Sequence, residues 1–496
     1  MLFVFCGEQG KDWLVLLFNS YEFIFLFLPI TFFLFFAIAK HGGIKAATFW
    51  LTAASFFFYG WWDCRYVPLL FGSICFNYFI GRRIEGSERG KGWLILGVTG
   101  NLLLLGVFKY TGFFLDTVNT VAGAMLVDVP QIALPVGISF FTFTQTAYLV
   151  DLYRRETKNH SFLTYCEFVT IFPHLIAGPI INHKEIMPQF TATKNYVIDY
   201  RNVATGICLF TMGLFKKVVI ADKLSAWVAE AFARPDSLTF LEAWIGALSY
   251  TFQLYFDFSG YSEMAIGLGL LFNLKLPTNF NSPYQATSMI DFWRRWHMTL
   301  GGWVKDYLYI PMGGNRSGEL GKMRNLFVSM LLIGLWHGAG WTFVFWGGLH
   351  GVLLMINHQW RRLNISLPKV VSWSLTFLCV VVCWVFFRAE SFHDAVAVLR
   401  AMADIDNIAL ADGDMENVYF GFLRNWGISF VVGIGATLRQ VVMVLGFIVV
   451  LYFAPNPQQW MQRFKPNVVW LMGMVGMFVY AVCKLTGYSE YLYSRF

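Results

Sequence analysis

Two histidines offer proton chemistry in a chain otherwise poor in ionisable groups. His337 stands in Leu335-Trp336-His337-Gly338-Ala339-Gly340-Trp341, with apolar runs on both sides. If that segment spans a membrane, His337 lies near its middle, where an ionisable group is costly and marks a functional position by default. His297 comes earlier, in Asp291-Phe292-Trp293-Arg294-Arg295-Trp296-His297. An imidazole exchanges a proton near neutral pH, and in its neutral form it can activate a hydroxyl as a general base. Gly338 and Gly340 leave room beside His337 for a ligand or another backbone. The plainer alternatives are a histidine hydrogen-bonded between helices at 337 and a headgroup contact at 297.

Other polar groups have two readings each. Arg294, Arg295 and Lys305 could hold a phosphate-bearing donor such as a coenzyme A ester, or could anchor the chain to lipid phosphates. Asp257 and Glu263, in Tyr255-Phe256-Asp257-Phe258-Ser259-Gly260-Tyr261-Ser262-Glu263, either orient a histidine or pair with a buried cation, for which Lys109 is a candidate. His174 follows Pro173 and marks a chain break that could line a cavity. His350 and His358 read as packing or interfacial residues. There is no Gly-x-Ser-x-Gly elbow, no phosphate-binding Gly-rich loop and no His-Glu-x-x-His pair. The eight cysteines form no Cys-x-x-Cys pair and mostly lie in apolar runs. They read as small core residues, so neither a metal site nor a disulfide framework is expected.

The elements that must position these groups are membrane helices. Of 496 residues, 57% are hydrophobic and 14% charged, against about 25% charged in soluble domains. Fifty-two Phe and 19 Trp suit a lipid-facing chain. Apolar segments of membrane-spanning length recur near 16–39, 46–62, 66–81, 92–115, 131–152, 162–181, 202–222, 241–273, 326–347, 343–358, 370–390, 428–454 and 468–484. They predict an all-α polytopic protein of about 11–14 membrane segments, forming one domain over 1–496. The start has neither a basic n-region nor a cleavage site, so a cleaved signal peptide is not expected.

The net charge of +7 is spread over loops and reads as topology control, not as a nucleic-acid surface. Lys40 and Lys45, then Arg82, Arg83, Arg89 and Lys91, then Arg154, Arg155 and Lys158 follow alternate spans, while 116–128 has no Lys or Arg. The positive-inside rule puts those basic loops in the cytoplasm and the N-terminus outside. The basic 291–325 stretch reads as cytoplasmic, and the acidic 402–427 stretch as external. Residues 291–314, rich in Trp and Arg and broken by Gly301-Gly302 and Pro311, suit short interfacial or re-entrant helices. No internal repeat or linker divides the chain, which weighs against a repeat-built transporter.

Several blocks resemble the membrane-bound O-acyltransferases, most strongly the bacterial branch that includes the alginate O-acetyltransferase membrane subunit. They are Asn19-Ser20-Tyr21-Glu22-Phe23-Ile24-Phe25-Leu26-Phe27-Leu28-Pro29, Leu134-Pro135-Val136-Gly137-Ile138-Ser139-Phe140-Phe141-Thr142-Phe143, Ala177-Gly178-Pro179-Ile180, Asp257-Phe258-Ser259-Gly260-Tyr261-Ser262, Asp291-Phe292-Trp293-Arg294-Arg295-Trp296-His297, Leu335-Trp336-His337-Gly338 and Trp384-Val385-Phe386-Phe387-Arg388-Ala389-Glu390. The resemblance implies helices around a central funnel, with 291–358 as the catalytic segment. It matches the family's invariant histidine to His337 and its second catalytic position to His297. His337 would deprotonate the acceptor hydroxyl or be transiently acylated, with His297 assisting. No resident cofactor is implied. Acetyl-coenzyme A would be the donor on the cytoplasmic side of a bacterial inner membrane, and periplasmic proteins would complete transfer to an exported polysaccharide. Alginate is the first expectation for that acceptor; peptidoglycan, cellulose or D-alanyl transfer to teichoic acid are others. A polysaccharide exporter without chemistry is the reading from a different class.

Overall fold

Helices account for nearly all of the regular structure, as the apolar runs require: a backbone in lipid must satisfy its own hydrogen bonds. The computed structural model describes residues 16–87, 90–316, 318–411, 429–431, 436–465 and 467–485. The N-terminal leader expectation and most of the acidic 402–427 stretch lie outside these residues. Among them, four helices are long and apolar enough to cross a membrane: Phe23–Gly42, Gly90–Ala122, Tyr200–Ala233 and Lys369–Arg388. Shorter apolar helices include Leu438–Phe453 and Val468–Cys483. The non-helical exception is a pair of three-residue parallel strands, Ala409–Ala411 and Ser429–Val431. Phe25, Phe33, Phe49, Leu103 and Phe114 are exposed, and apolar exposure on this scale suits a lipid-facing surface.

The described residues form two compact units. The first holds those up to Phe215, with Gly260–Thr278 and the stretch from Arg463; the second holds Lys216–Ser259 and Asn279–Gln462. In the first, Phe18, Phe23, Phe27, Phe58 and Phe172 build an aromatic core. Asn77 and Asn101 exchange side-chain hydrogen bonds of 3.0 and 2.6 Å between two helices, the kind of polar contact that joins helices in lipid. The expected break at Pro173 is present. Helix Phe162–Thr170 stops, a short turn Phe172–Leu175 follows, and buried His174 turns Nδ1 to the Pro179 carbonyl at 3.0 Å.

In the second unit, helix Gly318–His337 and helix Trp341–Arg362 fold back on each other. The cause is local. A Cβ on Gly334 would strike the Phe343 carbonyl oxygen, and one on Gly347 would strike that of Met330. Only glycine at both positions lets the two backbones touch. The hairpin corrects one expectation: His337 is the last residue of its helix and not the middle of a continuous span, because the chain turns at Gly338-Ala339-Gly340. Before the hairpin, Ser288 caps helix Met289–Arg295 by accepting from Asp291 N–H at 3.1 Å. Helix Met298–Val304 and a wider turn, Lys305–Tyr309, complete the interrupted segment. Asn325 anchors its end, donating Nδ2–H to the Met312 and Gly314 carbonyls at 3.2 and 3.1 Å.

A second correction concerns Asp257. Its cationic partner is Lys217, not Lys109; Lys217 also reaches Asp222 at 2.9 Å. Lys217 lies on helix Tyr200–Ala233, and the residue next to it, Lys216, sits over the Tyr255 ring at 5.4 Å. Cys75, Cys166, Cys208, Cys379, Cys383 and Cys483 are free as expected, whereas Cys64 takes part in a disulfide.

Candidate active site

His337 and His297 meet inside the second unit. Their ring centroids are 6.4 Å apart, and the residues are 6% and 1% exposed. Helix Gly318–His337 delivers the first at its C-terminal end. The second enters where the interrupted segment turns between two short helices: His297 has φ of 45°, in the left-handed region. A non-glycine residue held there costs about 1–3 kcal/mol and persists only where its surroundings enforce it, which is common at functional sites.

The enforcement is visible. Met298 N–H donates to the Asn279 carbonyl at 2.9 Å, and Asn281 N–H donates to the Arg295 carbonyl at 2.9 Å. The two strands of irregular chain are thereby clamped on either side of His297. The ring Nδ1 lies 3.0 Å from Asn279 Oδ1. Nε2 is buried and has no protein hydrogen-bond partner among the described residues.

Aromatic rings form the walls. The His337 ring lies 4.9 Å from Trp336, 5.3 Å from Trp346 and 5.4 Å from Phe387. His297 packs on the Phe258 ring at 4.8 Å and lies 6.3 Å from Trp336. Such walls exclude water and strengthen any electrostatic interaction made within them. His350 also belongs to this lining. It is fully buried, accepts at Nδ1 from Trp293 Nε1–H at 3.2 Å, and lies 4.7 Å from Trp346. Its expected packing role stands.

Arg295 bonds within its own helix and to the irregular segment before it. Arg295 donates Nε–H to Asp291 at 2.9 Å and Nη1–H to the Asn281 carbonyl at 3.4 Å. It lines a cavity of about 490 Å³ with Asp291, Gln285, Thr287, Lys369, Tyr452 and Phe453. Arg294 is exposed and, with Lys322 and Arg361, places positive charge around His358. Among the described residues no group of His, Cys, Asp and Glu is arranged to hold a metal ion.

Sequence reasoning missed Asn279, Trp346 and Phe387 as parts of the site. Asn279-Phe280-Asn281-Ser282-Pro283 carried a usable signal, since two asparagines before a proline mark an irregular segment. Nothing local tied it to His297.

Comparison with known proteins bears on this arrangement. The family model described as MBOAT, membrane-bound O-acyltransferase family, matches residues 102–389, a range that holds both histidines. A peptidoglycan O-acetyltransferase of Helicobacter pylori is 46% identical over 431 residues, covering 80% of this chain and 81% of the relative. A probable alginate O-acetylase of Pseudomonas aeruginosa is 42% identical, covering 81% of this chain and 78% of the relative. A teichoic acid D-alanyltransferase of Streptococcus thermophilus is 27% identical over 47% of this chain and 59% of its own length.

Proposed function

The chain belongs to the membrane-bound O-acyltransferase family, and from that premise we propose that it moves an acetyl group from cytoplasmic acetyl-coenzyme A to hydroxyls of a cell-envelope polysaccharide. The observation that carries the reading is the buried imidazole pair within an aromatic box. Acetyl transfer requires that an acceptor hydroxyl lose its proton as its oxygen attacks the thioester carbonyl, and that the departing sulphur gain one. Two adjacent imidazoles in a dry site can accept the first proton and return it for the second. His337, at the tip of the glycine-packed hairpin, is the central member of the pair.

The bacterial inner membrane, an external N-terminus and a periplasmic protein that receives the acetyl group complete the proposal. The alternation of basic and non-basic loops supports the orientation. The cavity shared by Arg295 and Lys369 is the proposed contact for the donor's phosphates. Of the relatives named above, the two over 40% identity divide between peptidoglycan and alginate. The common chemistry, an O-acetyl ester on an envelope polysaccharide, is therefore the reading, with alginate as the first acceptor to assay.

The test uses membranes from producing cells incubated with acetyl-labelled coenzyme A ester, followed by ester analysis of isolated exopolymer and of peptidoglycan. Label in one polymer, lost in His337→Ala, is the expected result. An unacetylated polymer exported in normal amount by cells lacking the gene is expected too. Loss of the polymer itself would instead establish an export role.

A further inference from the structure

We propose that Asn279 is a positioning residue that holds His297 as its Nδ1–H tautomer, so that His297 enters the reaction with a lone pair on Nε2. The inference rests on the acyl-transfer reading of the histidine pair.

The argument turns on which atom of the Asn279 amide faces the ring. Asn279 Oδ1 lies 3.4 Å from Thr299 N and 2.9 Å from Thr299 Oγ1, as well as 3.0 Å from His297 Nδ1. A backbone N–H can only donate, so the amide atom it points to must be the oxygen; an NH2 group there would set donor against donor. With the oxygen facing the ring, Nδ1 must carry a proton, because a bare Nδ1 would put two lone pairs 3.0 Å apart. The neutral imidazole has one N–H, so the other nitrogen, Nε2, is the acceptor.

That acceptor is one of several buried atoms for which the described protein supplies no partner, His174 Nε2 and His350 Nε2 among them, and it is the one beside His337. Buried polar atoms are nearly always paired, and an exception calls for a reason. Here the reason is reservation for the reacting hydroxyl. The same residue supplies the carbonyl that holds Met298 N–H, so Asn279 sets both the backbone turn and the ring tautomer of His297. Partners of this kind, one hydrogen bond behind a reacting imidazole, fix its orientation and the position of its proton.

The step balances. The hydroxyl O–H bond breaks and an N–H bond forms at Nε2. The oxygen pair bonds the acetyl carbon, the carbon–sulphur bond breaks with its pair on sulphur, and the proton leaves with the thiol. His297 starts that sequence as a proton acceptor; as the opposite tautomer it could only begin as a donor.

The first measurement is on the unaltered protein, labelled with ¹³C,¹⁵N-histidine and held at mildly alkaline pH. The resonance pair of His297 is identified by its loss in His297→Gln. Coupling to Cδ2 identifies Nε2, which is expected to be of the non-protonated type; a protonated Nε2 overturns the proposal. The second compares Asn279→Leu, which keeps the shape but not the acceptor, with Asn279→Asp, which keeps both. Asn279→Leu is expected to lower kcat about 10–100-fold at unchanged KM for acetyl-coenzyme A, and Asn279→Asp to recover most of that loss. Equal rates in Asn279→Leu and the parent overturn the positioning role. Should Asn279→Leu fail to fold, the resonance assignment still decides. A His297→Gln enzyme with the parental rate would instead defeat the catalytic reading of His297, and leaves the tautomer to be read independently.

Discussion

An imidazole buried among Trp and Phe rings gives up hydration in exchange for position. His337 makes that exchange against Trp336, Trp346 and Phe387. General acid–base groups contribute about 10²–10⁴-fold to rate. His337→Ala is therefore expected to lower transfer by at least that order while the protein still purifies as a folded monodisperse species; transfer within a few-fold of the parent would remove His337 from the reaction. His350 lies close by yet differs, since its Nδ1 accepts from Trp293 Nε1–H and the one proton of its neutral ring therefore sits on Nε2. His350→Leu leaves that indole N–H buried without its acceptor, at a cost of about 1–3 kcal/mol. Thermal unfolding in detergent should show a lower midpoint, with a much smaller effect on transfer than His337→Ala. Lys369 gives the third expectation at this scale. If the Arg295 cavity receives the donor's phosphates, Lys369→Ala raises KM for acetyl-coenzyme A several-fold at constant kcat. An unchanged KM would move the donor site elsewhere. His337 and His297 were legible as candidates from residue type and local context. The role of Asn279 was not, because a hydrogen bond across 18 positions leaves no periodic trace.

At the scale of elements, hydropathy placed most helices within a few residues of where they lie. The span expected near 370–390 is helix Lys369–Arg388, and that near 468–484 is Val468–Cys483. It erred at the site. The overlapping runs 326–347 and 343–358 are two helices packed through Gly334 and Gly347. An apolar run does not say where a chain turns when both arms are equally apolar; Gly338 marks the place by the space it leaves, since a Cβ there would strike the Phe343 ring. Gly347→Ala would drive a methyl group into the Met330 carbonyl. It should reduce both stability and transfer, whereas Gly473→Ala, which meets nothing within 4 Å, should change neither beyond the effect of helix propensity. Comparable behaviour of the two would refute close packing of the hairpin. The ion pair between Lys217 and Asp257 joins two more helices. Removing one member of such a pair typically costs about 3–5 kcal/mol because the other charge stays buried. Lys217→Met alone should therefore destabilise the protein more than Lys217→Met combined with Asp257→Leu; additive losses would show that the pair is not coupled.

At the scale of the whole molecule, charge distribution sets orientation. Lys158 belongs to a loop expected in the cytoplasm, and Ala124 to the one without Lys or Arg. A membrane-impermeant maleimide should label Ala124→Cys in cells with a permeabilised outer envelope, and Lys158→Cys only after the inner membrane is opened. The reverse pattern would invert the topology. Composition and hydropathy by themselves determined that the chain is an all-α membrane protein, because the cost of unsatisfied backbone in lipid leaves few other solutions. Ordered motifs, read together with buried imidazoles, pointed to acyl transfer. Only the tertiary structure brought His297 beside His337, aimed it through a left-handed turn, gave Asp257 its partner in Lys217 and set Asn279 behind the ring. Those relations depend on side chains far apart in sequence meeting within a few ångströms, and a linear pattern records periodicity but not distance.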